Sequence, residues 1–205
     1  SGGEATCEAG PTLVHPRQAP AATCLDEACQ RVLLVGGNPG GAIAELVDLS
    51  AGTAEALSGT GLPDKLFGGV LCGLDLLAGS KELARAAPFT PLRLSLADGG
   101  LSGSVITGLD GTGYLAAVAR QGDSCWVVGG IDGMNGIQSN GGRFVRSVDG
   151  SVSGLAATLG HGRFGAVAGV IGSGLLAGRL VIAGGVEIDG NGPVRVVRGA
   201  EVLSP

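Results

Sequence analysis

The stretch Val32-Leu33-Leu34-Val35-Gly36-Gly37 decides the fold, because diverged copies of it return at a nearly fixed spacing. Each copy is an apolar run that ends in glycine or another small residue, and the copies lie at residues 76–80, 126–130 and 181–185. The residues that open the four repeats are Arg17, Lys65, Gly113 and Arg163, at offsets of 48, 48 and 50 residues. A period near 50 residues with four short strands in each repeat is typical of a β-propeller. The sequence therefore predicts an all-β chain of four four-stranded blades.

Composition agrees with a globular β-protein and argues against several other classes. The 205 residues include 41 glycines, yet no Gly-X-Y period exists and 44% of the residues are hydrophobic, which is unlike collagen or a disordered chain. Because 3% of the residues are aromatic, the core must consist of aliphatic side chains packed around glycine, as suits a pleated sheet. No apolar run reaches the roughly 18 residues of a membrane span, which predicts a soluble chain. The net charge of −5 without a basic cluster argues against nucleic acid as a partner.

Turn residues divide the first two repeats into predicted strands. In the first repeat the strands are residues 18–24, 31–36, 42–49 and 53–57, and in the second they are residues 66–72, 73–78, 92–97 and 103–107. Asn-Gly and Asp-Gly pairs at matching places in the third and fourth repeats predict tight hairpins. The whole chain, residues 1–205, is one predicted domain with blades at residues 13–61, 62–108, 109–158 and 159–205.

Several motifs resemble the kelch-repeat propellers, especially the degenerate bacterial type. They are the Gly-Gly pair that ends the second strand, the start Pro16-Arg17, and the third-strand segments Ala44-Glu45-Leu46-Val47-Asp48 and Ala200-Glu201-Val202-Leu203-Ser204-Pro205. The resemblance spans essentially the whole chain and implies blades of four antiparallel strands. Val47 and Ala54 stand where the family usually has Tyr and Trp, which affects the expected packing and not the four-strand unit.

The last repeat has no predicted fourth strand of its own, and residues 4–8 precede the first predicted strand. Because Thr6-Cys7 matches Thr53-Ala54, we expect residues 4–8 to complete the last blade and hide two sheet edges. Small residues at the predicted channel positions suit a narrow four-bladed ring; they are Ala21, Ala22, Gly68, Gly69, Ala116, Ala117, Gly165 and Ala166. The alternatives are half of an eight-bladed ring made by two chains and an arc completed by another protein.

The five cysteines bear on the cellular compartment. Cys24 and Cys29 flank a predicted hairpin, so we predict a disulfide between them; the alternative is that Cys24, Cys72 and Cys125 are small buried residues in a reducing compartment. Since five is odd, at least one thiol stays free or pairs between chains. The hairpin disulfide, together with the export that is frequent in the resembled family, favours an extracytoplasmic location.

The chain holds few residues for catalysis or metal binding. A site shared by the two histidines, His15 and His161, would need the first and fourth blades to be neighbours. The resemblance includes copper oxidases of the galactose oxidase kind, which use tyrosines, and the single tyrosine, Tyr114, argues against such an oxidase. Residues 132–136 and 189–192 lack the glutamate that an EF-hand loop requires and are predicted to be hairpin turns. We predict no cofactor, no metal site and no enzymatic activity.

The leading hypothesis is a non-enzymatic interaction module that binds a protein or an exposed polymer through the loops of one face. The candidate contact residues are His15, Arg17, Asn38, Lys65, Tyr114, Asp132, Met134, Asn135, His161, Arg163, Asp189 and Asn191. One alternative is a structural subunit that forms part of a larger propeller or assembly, including a homo-oligomer. Another is an extracytoplasmic sugar-binding protein or hydrolase that uses the mouth of the channel.

Overall fold

A computed structural model gives the fold and describes residues 9–37, 44–63, 66–80, 90–97, 99–106, 115–121, 124–132, 136–137, 140–146, 152–188 and 194–203. This part of the chain is all-β, as the sequence predicts, and consists of strands and turns without a helix. It accordingly contains no helix that is long and apolar enough to span a membrane.

Unit 1, the first repeat, is an antiparallel meander. Its strands are β1 (Ala21–Cys24), β2 (Arg31–Val35), β3 (Ala44–Asp48) and β4 (Thr53–Thr60). Each strand pairs with the next along the chain, and all four lie where the sequence predicts strands. The Asp26 carboxylate accepts backbone hydrogen bonds from Gln30 and Arg31 at 2.9 and 2.8 Å, which shapes the turn between β1 and β2. The predicted disulfide between Cys24 and Cys29 is confirmed at this turn, where the two Cα atoms are 4.8 Å apart.

Unit 2 repeats the meander. Its strands are β5 (Phe67–Cys72), β6 (Asp75–Ser80), β7 (Leu92–Ala97) and β8 (Gly100–Val105). The strand β8 begins earlier than predicted because Gly100 already pairs with Ala97 across the tight turn. The outermost strands of the two units, β4 and β8, pair in parallel, so units 1 and 2 share one eight-stranded sheet. Its edge strands β1 and β5 lie beside each other, which nearly closes the sheet on itself.

A hydrophobic core fills the space between the two halves of this sheet. Leu33 and Val35 of unit 1 face Leu71, Leu76 and Leu94 of unit 2, and all five side chains are buried. Burial of one such side chain contributes about 1.5–3 kcal/mol. Packing between the two repeats therefore stabilises the sheet in addition to its strand pairing.

Units 3 and 4 form smaller sheets, and each carries a hairpin between its second and third strands. Unit 3 has β9 (Ala117–Gln121), β10 (Ser124–Val128), the hairpin strands β11 (Ile131–Asp132) and β12 (Gly136–Ile137), β13 (Asn140–Arg146) and β14 (Val152–Thr158). Unit 4 has β15 (Val167–Val170), β16 (Leu180–Ala183), the hairpin strands β17 (Val186–Ile188) and β18 (Val194–Val196), and β19 (Ala200–Leu203). The strand β19 pairs with β16 as the predicted third strand. Residues 4–8, which we expect to supply a fourth, lie outside the described residues.

Two further cores join neighbouring units. Val70 and Leu77 of unit 2 pack with Val127 of unit 3, and Trp126 of unit 3 packs with Ile182 of unit 4. A second disulfide, which the sequence analysis did not predict, joins Cys72 to Cys125 across units 2 and 3, with the Cα atoms 6.0 Å apart. Within the described residues, no core cluster joins unit 4 to unit 1.

Candidate functional site

The structure describes the side chains of four of the predicted contact residues. They are His15, Arg17, His161 and Arg163. Asp132 is described as part of the strand β11 but without its side chain. The remaining candidates lie outside the described residues and stay predictions; they are Asn38, Lys65, Tyr114, Met134, Asn135, Asp189 and Asn191.

Arg17 lies in a buried ion pair with Glu45 on β3. Its Nε and Nη2 atoms donate to Glu45 Oε1 at 2.9 and 2.7 Å, and its Nη1 atom donates to the Gly36 carbonyl at 2.6 Å. The Glu45 carboxylate also accepts backbone hydrogen bonds from Val14 and His15 at 2.9 and 3.0 Å. The side chains of Arg17 and Glu45 are 4% and 0% exposed. The pair therefore fastens the segment before β1 to the centre of unit 1.

The surroundings of Glu45 act on its pKa in opposite directions. Burial raises the pKa, because a carboxylate loses its hydration in the interior. The hydrogen bond and charge of Arg17, with the backbone N–H groups of Val14 and His15, lower it and outweigh burial. The net result is a pKa of Glu45 below its ordinary value, so the carboxylate stays charged in the folded protein at neutral pH.

Unit 4 repeats this ion pair with Arg163 and Glu201. Arg163 Nη2 donates to Glu201 Oε1, Arg163 Nη1 donates to the Gly184 carbonyl at 3.4 Å, and the Gly160 N–H donates to Glu201 Oε2 at 2.7 Å. The Arg163 side chain is 2% exposed and that of Glu201 is 23% exposed. Both arginines, predicted as contacts on an exposed loop face, are instead buried because each pairs with a glutamate of its own unit.

No hydrogen bond or ion pair joins the two histidines, both of which lie in the described part of the chain. His15 lies beside unit 1, where its backbone N–H binds Glu45, and His161 is an exposed residue that precedes β15. A shared site would require the first and fourth units to be neighbours. Their first strands, β1 and β15, show no contact comparable to those between successive units. Among the described residues, no group of three or more His, Cys, Asp or Glu side chains is arranged to hold a metal ion.

A row of backbone hydrogen bonds links the four units at equivalent positions. Each unit contributes one residue in the left-handed region, and these are Ala19, Gly68, Leu115 and Gly165, with φ of 50°, 54°, 58° and 62°. The N–H of each of the last three donates to the carbonyl of the preceding one, at 3.1, 2.9 and 2.9 Å. Left-handed backbone is uncommon for Ala and Leu. Its recurrence at this position shows that the units follow one another with a repeated geometry.

The row does not close on itself. Ala19 and Gly165 both belong to the described part of the chain, and no hydrogen bond joins the Ala19 N–H to the Gly165 carbonyl. The strand β1 lies beside β5, β5 beside β9, and β9 beside β15, but these described strands show no comparable contact between β15 and β1. Among the described residues, the row therefore begins at unit 1 and ends at unit 4.

The glycine pairs after the second strands show the same open end. A Cβ atom on Gly36 would lie 2.6 Å from the Leu66 carbonyl oxygen of the next unit, and one on Gly129 would lie 2.3 Å from that of Arg163. Gly184 occupies the equivalent place in unit 4, and a Cβ atom there would meet nothing within 4 Å. Units 1 and 3 are thus in close contact with a following unit at this position, whereas unit 4 has no such contact with a described residue.

The front face of unit 4 is the apolar surface formed by Val167, Val181, Ala183 and Val202, which the strand register places on one side of its sheet. In units 1 and 3, the first-strand residues that match Val167 are Ala21 and Ala117, and they are 1% and 2% exposed under the next unit. Val167 is 70% exposed. A depression of about 350 Å³ lies on this face and is lined by Val167, Val181 and Ala183 among others.

The rear face of unit 1 is the opposite end and consists of Ala22, Val32 and Leu34. By strand register these residues match Ala168, Leu180 and Ile182 of unit 4. The last two are completely buried against unit 3, whereas Val32 and Leu34 are half-buried and Ala22 is exposed. In the described part of the chain, units 4 and 1 thus each carry an apolar face whose counterpart in the internal units is covered.

Comparisons with known proteins give a likeness of fold. No protein-family model matches the chain, and no curated protein matches it. Among solved structures, that of YjhT is similar, with a TM-score of 0.64 and 16% sequence identity over 85% of this chain. The chain spans 60% of the length of YjhT.

The sequence did not lead us to the ion pairs, and it left open whether the four units close into a ring or form an arc. A signal for the ion pairs exists, because Arg17 and Glu45 recur as Arg163 and Glu201 in the same order within their repeats. The uncovered ends leave no such signal, since the front residues of unit 4 are as apolar as those of the covered units.

Proposed function

We propose that this chain is an open arc of four kelch-like propeller blades that serves as a structural subunit of a larger ring and not as a catalyst. The observation that carries the proposal is the row of bonds through Ala19, Gly68, Leu115 and Gly165, which links four equivalent units and then stops. A closed four-bladed ring would require a fourth bond from the Ala19 N–H to the Gly165 carbonyl. The uncovered front face of unit 4 supports the same conclusion.

Two further features support an arc. YjhT has a similar fold in a longer chain, of which this chain spans 60%, so the fold occurs with further chain beyond the part that matches these units. In the described part of unit 4, β19 is an edge strand, and an unpaired edge invites another strand. We expect residues 4–8 to pair there, in keeping with the match between Thr6-Cys7 and Thr53-Ala54 of β4.

Amide hydrogen exchange tests whether the row of backbone hydrogen bonds ends at unit 4 or closes on unit 1. The amides of Gly68, Leu115 and Gly165 donate between units and are expected to exchange slowly, because native hydrogen bonds protect amides until the structure opens. The Ala19 amide lacks the bond that a closed ring would give it, so in dilute protein it should exchange at least about tenfold faster, on the scale of about 1.4 kcal/mol per tenfold. Equal protection of all four amides in a monomer would refute the open arc.

A second role, binding through the loops of one face, is favoured by the hairpin of β17 and β18. Val194 and Val196 on β18 are 64% and 72% exposed. The strand register places both on the same side of the hairpin as Val186, which pairs with Val196. Two backbone hydrogen bonds between Val186 and Phe164, at 3.0 and 2.9 Å, hold its base. Exposed apolar clusters of this kind commonly mark interaction surfaces.

If the hairpin binds a partner, replacing its exposed valines should weaken that binding. Peptides selected from a displayed library on the wild-type chain are expected to lose at least about tenfold in affinity, or about 1.4 kcal/mol, when Val194 and Val196 are replaced by serine. The control is Val105→Ser on β8, because Val105 is 59% exposed and distant in sequence from the hairpin. Selected peptides that bind all three proteins equally would contradict a role for the hairpin.

We also propose an oxidising, extracytoplasmic location. The two disulfides support it, because such bonds persist in oxidising compartments and are rare in the cytosol. Four of the five cysteines are thus paired, and a thiol reagent added to denatured, unreduced protein from the native host should modify one cysteine per chain. Five modified cysteines would contradict the location.

A further inference from the structure

We propose that the front face of unit 4 docks on the rear face of unit 1 of a second copy of this chain. The proposal rests on the open arc proposed above and identifies its partner. Two chains arranged head to tail would cover both ends of each molecule. The closed assembly would contain eight units, which lies within the usual range of four to eight propeller blades.

The two uncovered faces resemble the faces that meet inside the chain. The internal interfaces are built from front and rear faces of the same type, as where Trp126 of unit 3 packs on Leu180 and Ile182 of unit 4. By register, Val181 on the front face of unit 4 takes the place of Trp126, and Leu34 on the rear face of unit 1 takes the place of Ile182. The two uncovered faces thus have the composition of an interface that the chain already forms.

Hydrogen bonding at the ends is complementary. The Gly165 carbonyl ends the row as an acceptor, and the Ala19 N–H begins it as a donor. In a head-to-tail pair, the Ala19 N–H of the second copy would occupy the place that the next unit's N–H occupies elsewhere in the row. The same contact would bring backbone of the second copy against Gly184, where an added Cβ atom would meet no described residue within 4 Å.

The chemistry of the two faces favours a second copy over a charged partner. The named residues of both faces are uncharged, and Glu45, which the register places beside Leu34, is already buried and paired with Arg17. Covering the two faces with apolar surface requires no desolvation of a charged side chain. A copy of this chain carries the matching apolar face, the backbone donor and the backbone acceptor on one molecule, so a single association satisfies all three.

The test is light scattering with size-exclusion chromatography over a concentration series, in a Cys7→Ser background so that a disulfide between chains cannot mimic association. The wild-type protein is expected to have twice the 19.9 kDa chain mass when concentrated, and one chain mass when dilute. Val167→Arg on the front face and Ala22→Arg on the rear face should each raise the dissociation constant at least tenfold. Val105→Arg is the control, since Val105 is 59% exposed on β8.

A mixture of the Val167→Arg and Ala22→Arg proteins provides a more specific readout. Each variant keeps one intact face, so the mixture should form a dimer through one interface although neither variant dimerises alone. A front-to-front contact would not be restored in this way, because half of the chains would still carry the altered front face. Restoration therefore supports head-to-tail association.

The Ala19 amide separates failure of this inference from failure of the open arc. If the second copy docks, protection of this amide should rise with protein concentration. A monomer at every concentration with fast exchange at Ala19 would overturn the second copy and leave the open arc intact. A monomer with slow exchange at Ala19 would overturn both, and an oligomer that survives Val167→Arg would overturn this interface.

Discussion

Arg17 and Glu45 form the most completely buried ion pair in the described part of the chain, with two donor atoms of the guanidinium on one carboxylate oxygen at 2.9 and 2.7 Å. Arg163 and Glu201 repeat the pair in unit 4, but Glu201 is 23% exposed. A buried ion pair gains little net stability over apolar packing, yet the loss of one partner leaves an uncompensated charge. The two pairs therefore allow a comparison of how much stability is lost when an ion pair is broken at a more buried and at a less buried glutamate.

Glu45→Gln is expected to destabilise the protein more than Glu201→Gln. The first change leaves the Arg17 guanidinium buried without a counter-charge, which costs about 3–5 kcal/mol. The second also leaves a buried guanidinium without its counter-charge, but water reaches the Glu201 side of this pair, where the side chain is 23% exposed, so the loss is expected to be about 1–3 kcal/mol. Urea unfolding followed by circular dichroism measures both values. Equal losses would show that burial of the pair does not set its contribution.

The lowered pKa of Glu45 predicts that the folded protein loses stability in acid. The pKa of Glu45 is below the ordinary value of 4.5 in the folded protein, so the folded state binds fewer protons than the unfolded state as the pH falls through this range. Stability from this group is therefore complete above the unfolded pKa and disappears as the pH falls through the folded pKa. A pH series of urea unfolding from 7 to 3 should show a smaller decrease in Glu45→Gln than in the wild-type protein. Parallel curves would contradict the assignment.

The strands of units 1 and 2 could be predicted because apolar runs alternate with glycine-rich turns of distinct chemistry. Their bounds shifted where backbone geometry intervened. The strand β1 begins at Ala21 and not at residue 18, because Ala19 adopts φ of 50° and Pro20 has no N–H for pairing. The strand β6 begins at Asp75 and not at residue 73, because Gly73 adopts φ of 57° in the turn.

Contacts between units could not be predicted from the pattern within one repeat. Cys72 and Cys125 are 53 residues apart, and their pairing depends on how unit 2 packs against unit 3. Arg17 and Arg163 were predicted as exposed because charged residues near loops usually face water, and the glutamates that bury them lie 28 and 38 residues further along the chain. The uncovered front face likewise depends on the relation of unit 4 to unit 1.

Gly68 and Gly165 occupy equivalent positions in the row but differ in their surroundings. A Cβ atom on Gly68 would lie 2.8 Å from Leu115 Cδ2 and 2.9 Å from the Leu115 backbone nitrogen, whereas one on Gly165 would meet nothing within 4 Å. Both residues have positive φ, so alanine costs about 1–2 kcal/mol of backbone strain at either site. Gly68→Ala should cost about 1–3 kcal/mol more from overpacking against the next unit.

Urea unfolding of dilute protein measures this difference, because any association of chains at Gly165 is then removed. A larger loss for Gly165→Ala than for Gly68→Ala would mean that a neighbour covers Gly165, as in a closed ring. The comparison is therefore independent of the hydrogen-exchange test of the same end.

The two disulfides should contribute unequally to stability. Cys72 and Cys125 close a loop of 53 residues, and Cys24 and Cys29 close one of 5. In the chain-entropy account the longer loop corresponds to about 4 kcal/mol and the shorter to about 2 kcal/mol, since a crosslink restricts the unfolded chain more when it joins distant residues. Replacing Cys72 and Cys125 by alanine should lower the free energy of unfolding more than replacing Cys24 and Cys29, measured by urea unfolding without reductant.

The interface between units 2 and 3, where Cys125 packs beside Val127, should also lose amide protection only when Cys72 and Cys125 are replaced, because the short pair lies in the turn of unit 1. A greater loss from the short pair would indicate that local strain, and not loop closure, determines the effect.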